Sequence, residues 1–128
     1  MIKLNLGTLR SETFKSALSK IYAHSDFPSL SIAFACLSKV KVIRKEIETA
    51  DELHKTIVEK HAEKDKDGKP VVENNHYKIV DVKKFNADVL EFSLTEINLE
   101  VEKIKLDDLK GIKLSLAELE SLESLLDA

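Results

Sequence analysis

Acidic residues between positions 63 and 74 have the spacing of a calcium-binding loop. Four residues match positions one, three, five and six of an EF-hand loop: Glu63, Asp65, Asp67 and Gly68. Position twelve, which would have to supply a bidentate carboxylate, is Asn74, and position eight is Pro70. Because Asp-Gly is a strong turn dipeptide, we interpret the segment as a charged turn, with ion binding at residues 65–68 as the alternative.

Two histidines are the other candidates for metal ligands. His54 and His61 are seven residues apart, which places them on one helical face but about 10 Å apart along its axis. One ion is held more readily by histidines at i and i+4. We interpret them as polar residues at the solvent-exposed end of a helix, with metal binding as the alternative. The sequence thus predicts no metal or cofactor.

Catalytic residues have no supporting pattern in the sequence. Cys36 is the single cysteine and lies in the apolar run 30–37, where a thiol behaves as a small hydrophobic side chain. The acidic residues at 100, 102, 107 and 108 lie beside a predicted strand and a helix start, where solvent and the helix dipole favour carboxylates. The motifs of phosphate-binding loops and serine hydrolases are absent from the sequence. We therefore predict a protein that is not an enzyme.

Basic residues are concentrated in the first third of the chain. Residues 1–45 carry a net charge of +6 and the remaining residues −9, against −3 for all 128 residues. The densest basic group consists of Lys39, Lys41, Arg44 and Lys45. The asymmetry favours electrostatic matching between the two halves, inside one fold or between protomers. A nucleic-acid-binding module that uses this group is the alternative, although aromatic residues are not interleaved with it.

A long predicted helix carries the basic group and both histidines. From Pro28 to about Glu63 there is no glycine and no further proline. Seam positions recur alternately three and four residues apart, which is typical of one helical face: Val40, Ile43, Ile47, Ala50, His54, Ile57 and His61. Such a helix would be about 54 Å long. Residues 30–37 are apolar or small nearly all round, so we expect several neighbours to bury that end.

Shorter elements are predicted on both sides of this helix. Alternating Ile2, Leu4 and Leu6 predict a strand that Gly7 ends. A first helix buries Phe14, Ala17, Leu18 and Ile21, and a helix capped by Asp81 presents Val82, Phe85, Val89 and Phe92. A hairpin is predicted over residues 71–79, and a strand over residues 97–101 with an extension to 106. A Ser115–Glu118 capping box begins a last helix, which presents Leu116, Leu119, Leu122 and Leu126.

These elements predict one domain over residues 1–128. Its fold class is mainly α with a few short β-strands (α+β), a long central helix with shorter helices packed on it, and a small hairpin or strand pairing. Hydrophobic residues make up 43% and charged residues 34% of the chain, which excludes a disordered chain and a membrane protein. Without a signal peptide or a membrane-spanning run, we expect a cytoplasmic protein.

Motifs in residues 40–102 are similar to those of a known group of proteins. A long amphipathic helix is followed by Asp65-Lys66-Asp67-Gly68-Lys69-Pro70, then by Tyr77-Lys78-Ile79-x-Asp81, Phe85 and an acid-rich segment before Glu96. This order resembles a family of small bacteriophage and prophage proteins of unknown function. The resemblance implies a viral origin, hence the host cytoplasm as location, and supplies no active site.

We therefore expect a non-enzymatic, phage-encoded accessory protein that acts by protein–protein interaction, as a virion or assembly component or as a binder of a host complex. The partner is a second copy in a homo-oligomer, or a host or phage protein, and neither nucleic acid nor a membrane is expected. The predicted partner-binding residues are Val40, Ile43, Ile47 and Ile57 with Lys39, Lys41, Arg44 and Lys45. The alternatives are an anti-defence inhibitor of the anti-CRISPR kind and the nucleic-acid-binding module.

Overall fold

The computed structural model describes residues 2–127 as a mainly helical fold with three two-stranded sheets. The helices are α1 (Leu6–Arg10), α2 (Glu12–Ala23), α3 (Leu30–His61), α4 (Val82–Leu94) and α5 (Leu116–Ser121). The strands are β1 (Ile2–Asn5), β2 (Val72–Glu73), β3 (His76–Tyr77), β4 (Glu96–Leu99), β5 (Ile104–Lys105) and β6 (Leu126–Asp127). The predicted fold class is confirmed.

The first strand is shorter than the sequence predicts. β1 pairs antiparallel with β4, with Ile2 opposite Leu99. Gly7 does not break the chain but lies inside α1, which Asn5 caps by accepting a hydrogen bond from the backbone N–H of Thr8 at 2.7 Å. A Cβ at Gly7 would lie 3.1 Å from Cβ of Ser93. The glycine therefore allows α1 and α4 to approach closely.

Helix α2 supplies much of the core, as its spacing predicts. Phe14, Ala17, Leu18 and Ile21 are all buried. Ser11 caps the helix by accepting a hydrogen bond from the backbone N–H of Phe14 at 3.0 Å. The predicted apolar stripe of α2 is confirmed.

Helix α3 runs for 32 residues without interruption, a length of about 48 Å. Ser29 caps it by accepting a hydrogen bond from the backbone N–H of Ile32 at 3.2 Å. The predicted seam faces the body of the molecule and packs against α1 and α4. Val40, Ile43 and Ala50 of this seam are buried, whereas Ile47 and the seam residues from His54 to His61 are half-buried.

The expectation that residues 30–37 are buried by several neighbours is wrong. Leu30 is 89% exposed, Phe34 is 70% exposed and Leu37 is 36% exposed, whereas Cys36 is buried. The covering elements lie on the side that carries Cys36 and Val40. The opposite side of the same turns is left open to solvent.

A small hairpin and α4 follow the end of α3, as predicted. β2 and β3 pair antiparallel, and the two residues of their turn, Asn74 and Asn75, have φ of 51° and 67°. Such left-handed positions match the twist of a hairpin. Asp81 caps α4. Of its predicted stripe, Phe92 is buried and Val82 is exposed.

The C-terminal elements differ from the prediction in two places. β4 ends at Leu99 and the next strand, β5, pairs parallel with β6, so residues 97–106 do not form one strand. The Ser115–Glu118 capping box is present, but α5 ends at Ser121. Leu116, the first residue of α5, is 85% exposed. Leu122 is fully buried in the turn that follows α5. Across residues 2–127, no helix combines the length and apolar content needed to cross a bilayer.

Candidate functional site

The four predicted apolar partner-binding residues lie on the inner side of α3. Val40 is 2% exposed and Ile43 is 1% exposed. Ile47 and Ile57 are half-buried and pack against the same core. Because the chain's own elements cover this seam, Val40 and Ile43 have no surface left for another molecule.

Three of the four predicted basic residues share one side of α3, and Lys39 lies on the opposite side. Consecutive helical residues are about 100° apart, so Lys39 and Lys41 lie on nearly opposite sides of α3. Lys39 Nζ donates a hydrogen bond to the carbonyl oxygen of Lys103 at 3.2 Å. The guanidinium carbon of Arg44 lies 4.6 Å from the centre of the Tyr22 ring. Only Lys41 and Lys45 extend freely into solvent on the open side.

That open side combines apolar and basic side chains. Leu30, Phe34, Leu37, Lys41 and Lys45 are spaced four, three, four and four residues apart, so they lie on one face of the helix. All five are exposed, and we call them the outer face of α3. The sequence signal was the run of apolar residues on every side of the helix at 30–37, which exceeds what one core-facing stripe requires.

Two cavities adjoin the outer face, and Tyr22 lines both of them. The upper cavity has a volume of about 230 Å³ and is lined mainly by apolar side chains, among them Ile21, Phe27, Ala33, Leu37 and Val40. The lower cavity, of about 320 Å³, is lined by charged and apolar side chains, among them Lys15, Leu18, Arg44, Ile47, Glu48 and Asp51. We call the two together the α2–α3 groove.

Some charges of the lower cavity are paired within the chain. Asp51 accepts hydrogen bonds from Arg10 Nε at 2.8 Å and from Lys15 Nζ at 3.1 Å. Burial alone would raise the pKa of Asp51, but these two cations lower it below its ordinary value. The carboxylate is therefore ionised at neutral pH and serves the contact between α1, α2 and α3.

Other cations of this region have no such partner. Within residues 2–127, no carboxylate oxygen lies within 4.0 Å of the charged nitrogens of Lys41, Arg44 or Lys45. Glu48 lines the lower cavity, also without an ion pair in that part of the chain. Arg44 and Glu48 thus balance within the lower cavity, and the excess of unpaired positive charge comes from Lys41 and Lys45 on the outer face of α3.

The upper cavity contains the Cys36 thiol and the His24 imidazole among mainly apolar residues. Burial, and then the charge of Asp108, raise the pKa of the Cys36 thiol, so the thiol stays protonated and is a poor nucleophile. His24 packs edge-to-face on Phe27 at 4.8 Å between ring centres. Its Nε2 is buried and has no hydrogen-bond partner among the described residues. Because most of the residues that line the upper cavity are apolar, an apolar group is the ligand that it suits best.

The two histidines of α3 serve the packing of α4. His54 and His61 each lie edge-to-face on a phenylalanine of α4, Phe92 and Phe85, with 5.8 Å between ring centres. His61 Nε2 lies 2.6 Å from Oδ2 of Asp88. Burial, and then the charge of Arg10, lower the pKa of His54. Among residues 2–127 no three His, Cys, Asp or Glu side chains are grouped as a metal site would require.

The acidic segment at 63–70 forms a tight turn. Asp65 Oδ1 accepts hydrogen bonds from the backbone N–H groups of Asp67 and Lys69, at 2.9 and 3.0 Å. Gly68 has φ of 78°, a conformation that glycine adopts without strain. Glu63 pairs with Lys78 at 3.1 Å. The Asp65 carboxylate is therefore bonded within the turn, and the Glu63 carboxylate is paired with Lys78 beyond it.

Comparisons with protein-family models, with curated proteins and with solved structures find no match to this chain. The fold and the surface define a mainly helical protein. An apolar and basic helix face, adjoining a groove between two helices, is its most distinctive surface.

Proposed function

We propose that this chain is a non-enzymatic accessory protein that binds another protein through the α2–α3 groove and the outer face of α3. The observation that carries the proposal is the exposure of Leu30 and Phe34, at 89% and 70%, on the same helix face as Leu37, which lines the mainly apolar upper cavity. Single exposed apolar side chains are ordinary on protein surfaces, whereas a contiguous group beside a concavity marks an interaction site.

The binding residues of this proposal differ from those that periodicity suggested. Lys41, Arg44 and Lys45 are retained because they lie on or beside the open side of α3. The apolar contribution moves from Val40 and Ile43, which are buried, to Leu30, Phe34 and Leu37. This division leaves the inner seam to stabilise the fold and the outer face to bind.

A phage origin belongs to the proposal and is supported by the resemblance of residues 40–102. Within that origin, a virion or assembly component and a binder of a host complex both use a protein-binding surface. A protein that mimics nucleic acid needs a negatively charged surface, whereas the outer face is positively charged. An anti-defence inhibitor with this surface would therefore bind its target protein without mimicking nucleic acid. The genes beside the coding sequence would distinguish these roles.

A nucleic-acid-binding function is less well supported than protein binding. Lys39 lies on the side of α3 opposite the other three basic residues, and aromatic residues are not interleaved with the group. Duplex binding that weakens steeply with salt and is lost in Lys41→Glu/Arg44→Glu would favour it instead.

The test of the proposal compares two variants in affinity capture from host and infected cells. Phe34→Glu charges the outer face, and Leu90→Glu is the matched control because Leu90 is a 60% exposed leucine on α4. We expect a specific partner to bind the wild-type chain and Leu90→Glu and to be lost by Phe34→Glu, with direct binding of the purified partner as confirmation. A partner that binds all three equally would contradict the proposed surface.

A further inference from the structure

The two cavities of the α2–α3 groove repeat at a fixed interval along α3. Residues of α3 that line the upper cavity are followed eleven positions later by residues that line the lower one, as Ala33 is by Arg44 and Leu37 is by Glu48. Eleven helical residues span about 16 Å. Eleven residues are also close to three full turns, so a partner helix presents its residues i and i+11 on the same side.

The walls of the groove suit a helix better than an extended peptide. The lower cavity lies between α2 and α3, and the upper cavity is lined by the same two helices and by His24, Ser25 and Phe27 of the loop that joins them. An extended peptide needs backbone partners for its N–H and C=O groups, which a strand edge supplies and these walls do not. A helix satisfies those groups internally, and it can place one side chain in each cavity.

The charges specify the polar side of that helix. Lys41 and Lys45 are exposed, and Arg44 is held over Tyr22 at 4.6 Å. Glu48 is the one carboxylate near them that lines the lower cavity without an ion pair within residues 2–127. An acidic partner therefore complements three cations, while a basic partner would face repulsion.

We propose that the α2–α3 groove takes an acidic amphipathic helix of another protein, with an apolar side chain in the upper cavity and a carboxylate against Arg44. The two anchor residues are eleven positions apart in the partner. This inference rests on the proposed function and specifies the partner. The apolar part of the outer face is only three side chains long, small for a homodimer interface, which buries about 800 Å² per partner. A flat bilayer would leave both cavities unfilled.

The experiment selects binding helices without assuming a partner. A displayed library of 16-residue helix-forming segments is panned on the full-length chain, with depletion on Phe34→Glu. We expect the enriched segments to be acidic and to carry an apolar residue and Asp or Glu eleven positions apart, in either order. In fluorescence anisotropy, Arg44→Glu should weaken the best segment about 10-fold. Changing the segment's acidic anchor to Lys should restore binding to Arg44→Glu, and Lys83→Glu on α4 is the control.

Five outcomes would overturn the inference. Enriched segments without a preference for acidic residues, or segments that bind Arg44→Glu as well as wild type, would show that the partner helix need not be acidic. If Phe34→Glu abolished their binding, protein binding at this surface would still stand. A dimer in light scattering that Phe34→Glu dissolves would make a second copy the occupant, and binding to phosphatidylserine vesicles that Phe34→Glu abolishes would make it a membrane. A library with no enriched segment would also count against the inference.

Discussion

At the scale of single residues, Glu118 holds α5 to α2. Its buried side chain accepts hydrogen bonds from Lys20 Nζ at 2.6 Å, from Ser16 Oγ at 3.1 Å and from the backbone N–H of Ser115 at 3.0 Å. The hydrogen bond from Lys20, followed by those from Ser115, lowers the pKa of Glu118 from its ordinary 4.5 to about 2. The charged form is therefore the one that the fold stabilises.

This shift makes stability depend on pH on the acid side. Because the folded pKa of Glu118 is below the unfolded value, its contribution is complete above pH 4.5 and is lost as pH falls towards 2. We expect Glu118→Gln to be less stable at neutral pH and to lose less stability between pH 4.5 and 2 than the wild type. Urea midpoints measured across that range check this, with Glu120→Gln as the exposed control. An unchanged pH slope in Glu118→Gln would contradict it.

Replacing His24 should not destabilise the fold, in contrast to replacing Glu118. A buried polar atom without a partner costs about 1–3 kcal/mol, and Nε2 of His24 has none within residues 2–127. Phenylalanine keeps the ring contact with Phe27 and removes that atom. We expect His24→Phe to leave the free energy of unfolding unchanged or higher. A clear drop in thermal midpoint would show that the imidazole makes a bond that the fold needs.

Local signals explain which residues could be predicted. Asp81 and Ser115 are predicted as helix caps because a cap bonds a backbone group two or three residues away, and both cap the predicted helices. Lys20 and Glu118 are 98 residues apart in sequence. Nothing near either residue predicts their contact, since it depends on how α5 folds back.

At the scale of elements, α3 shows where periodicity stops being informative. Beyond Val40 a single apolar stripe indicates which face is buried, and that face is buried. At residues 30–37 apolar side chains surround the helix, so the pattern contains no information about which side the other elements cover. The position of α2 and the loop at Phe27 decides it, and this follows from contacts distant in sequence.

The two faces of α3 should respond very differently to truncation. Ile43 is 1% exposed and Phe34 is 70% exposed. We expect Ile43→Ala to lower the free energy of unfolding by about 2–5 kcal/mol because it leaves a cavity. Phe34→Ala should change it by no more than about 0.5 kcal/mol. Chemical denaturation of both variants measures this, and a large loss in Phe34→Ala would place that side chain in the core.

The packing of α1 on α4 depends on the absence of a side chain at Gly7. A Cβ there would lie 3.1 Å from both Cβ and the carbonyl oxygen of Ser93, so one of the two helices would have to shift. We expect Gly7→Ala to cost about 1–3 kcal/mol, despite alanine's higher helix propensity. Thermal denaturation measures it, and a gain in stability would show that the helices separate freely.

At the scale of the whole molecule, the uneven charge of the chain is used inside the fold. Arg10 and Lys15 pair with Asp51, and Lys20 pairs with Glu118, so the basic first third contacts the acidic remainder. The sequence predicted matching between the halves and left open whether it is internal. The three ion pairs show that part of this charge matching is internal to the fold, because they join α1 and α2 to α3 and α5.

Screening should weaken these pairs. Partly exposed ion pairs contribute up to about 1 kcal/mol each and lose much of it as salt shortens the screening length. We expect the thermal midpoint to fall between about 0.05 and 0.5 M sodium chloride and to fall less in Asp51→Asn. Equal salt dependence of the variant and the wild type would show that Asp51 contributes nothing measurable.

The unequal cover along α3 has a consequence for how the molecule opens. From Val40 to Ala50 the inner face carries three buried side chains, whereas none from residue 51 to the end of the helix is more than half-buried, although α4 packs on α3. Segments with less burial open at lower free energy. Amide protons of residues 54–61 should therefore exchange with deuterium sooner than those of residues 40–50. One continuous helix would then behave as two units that open at different rates.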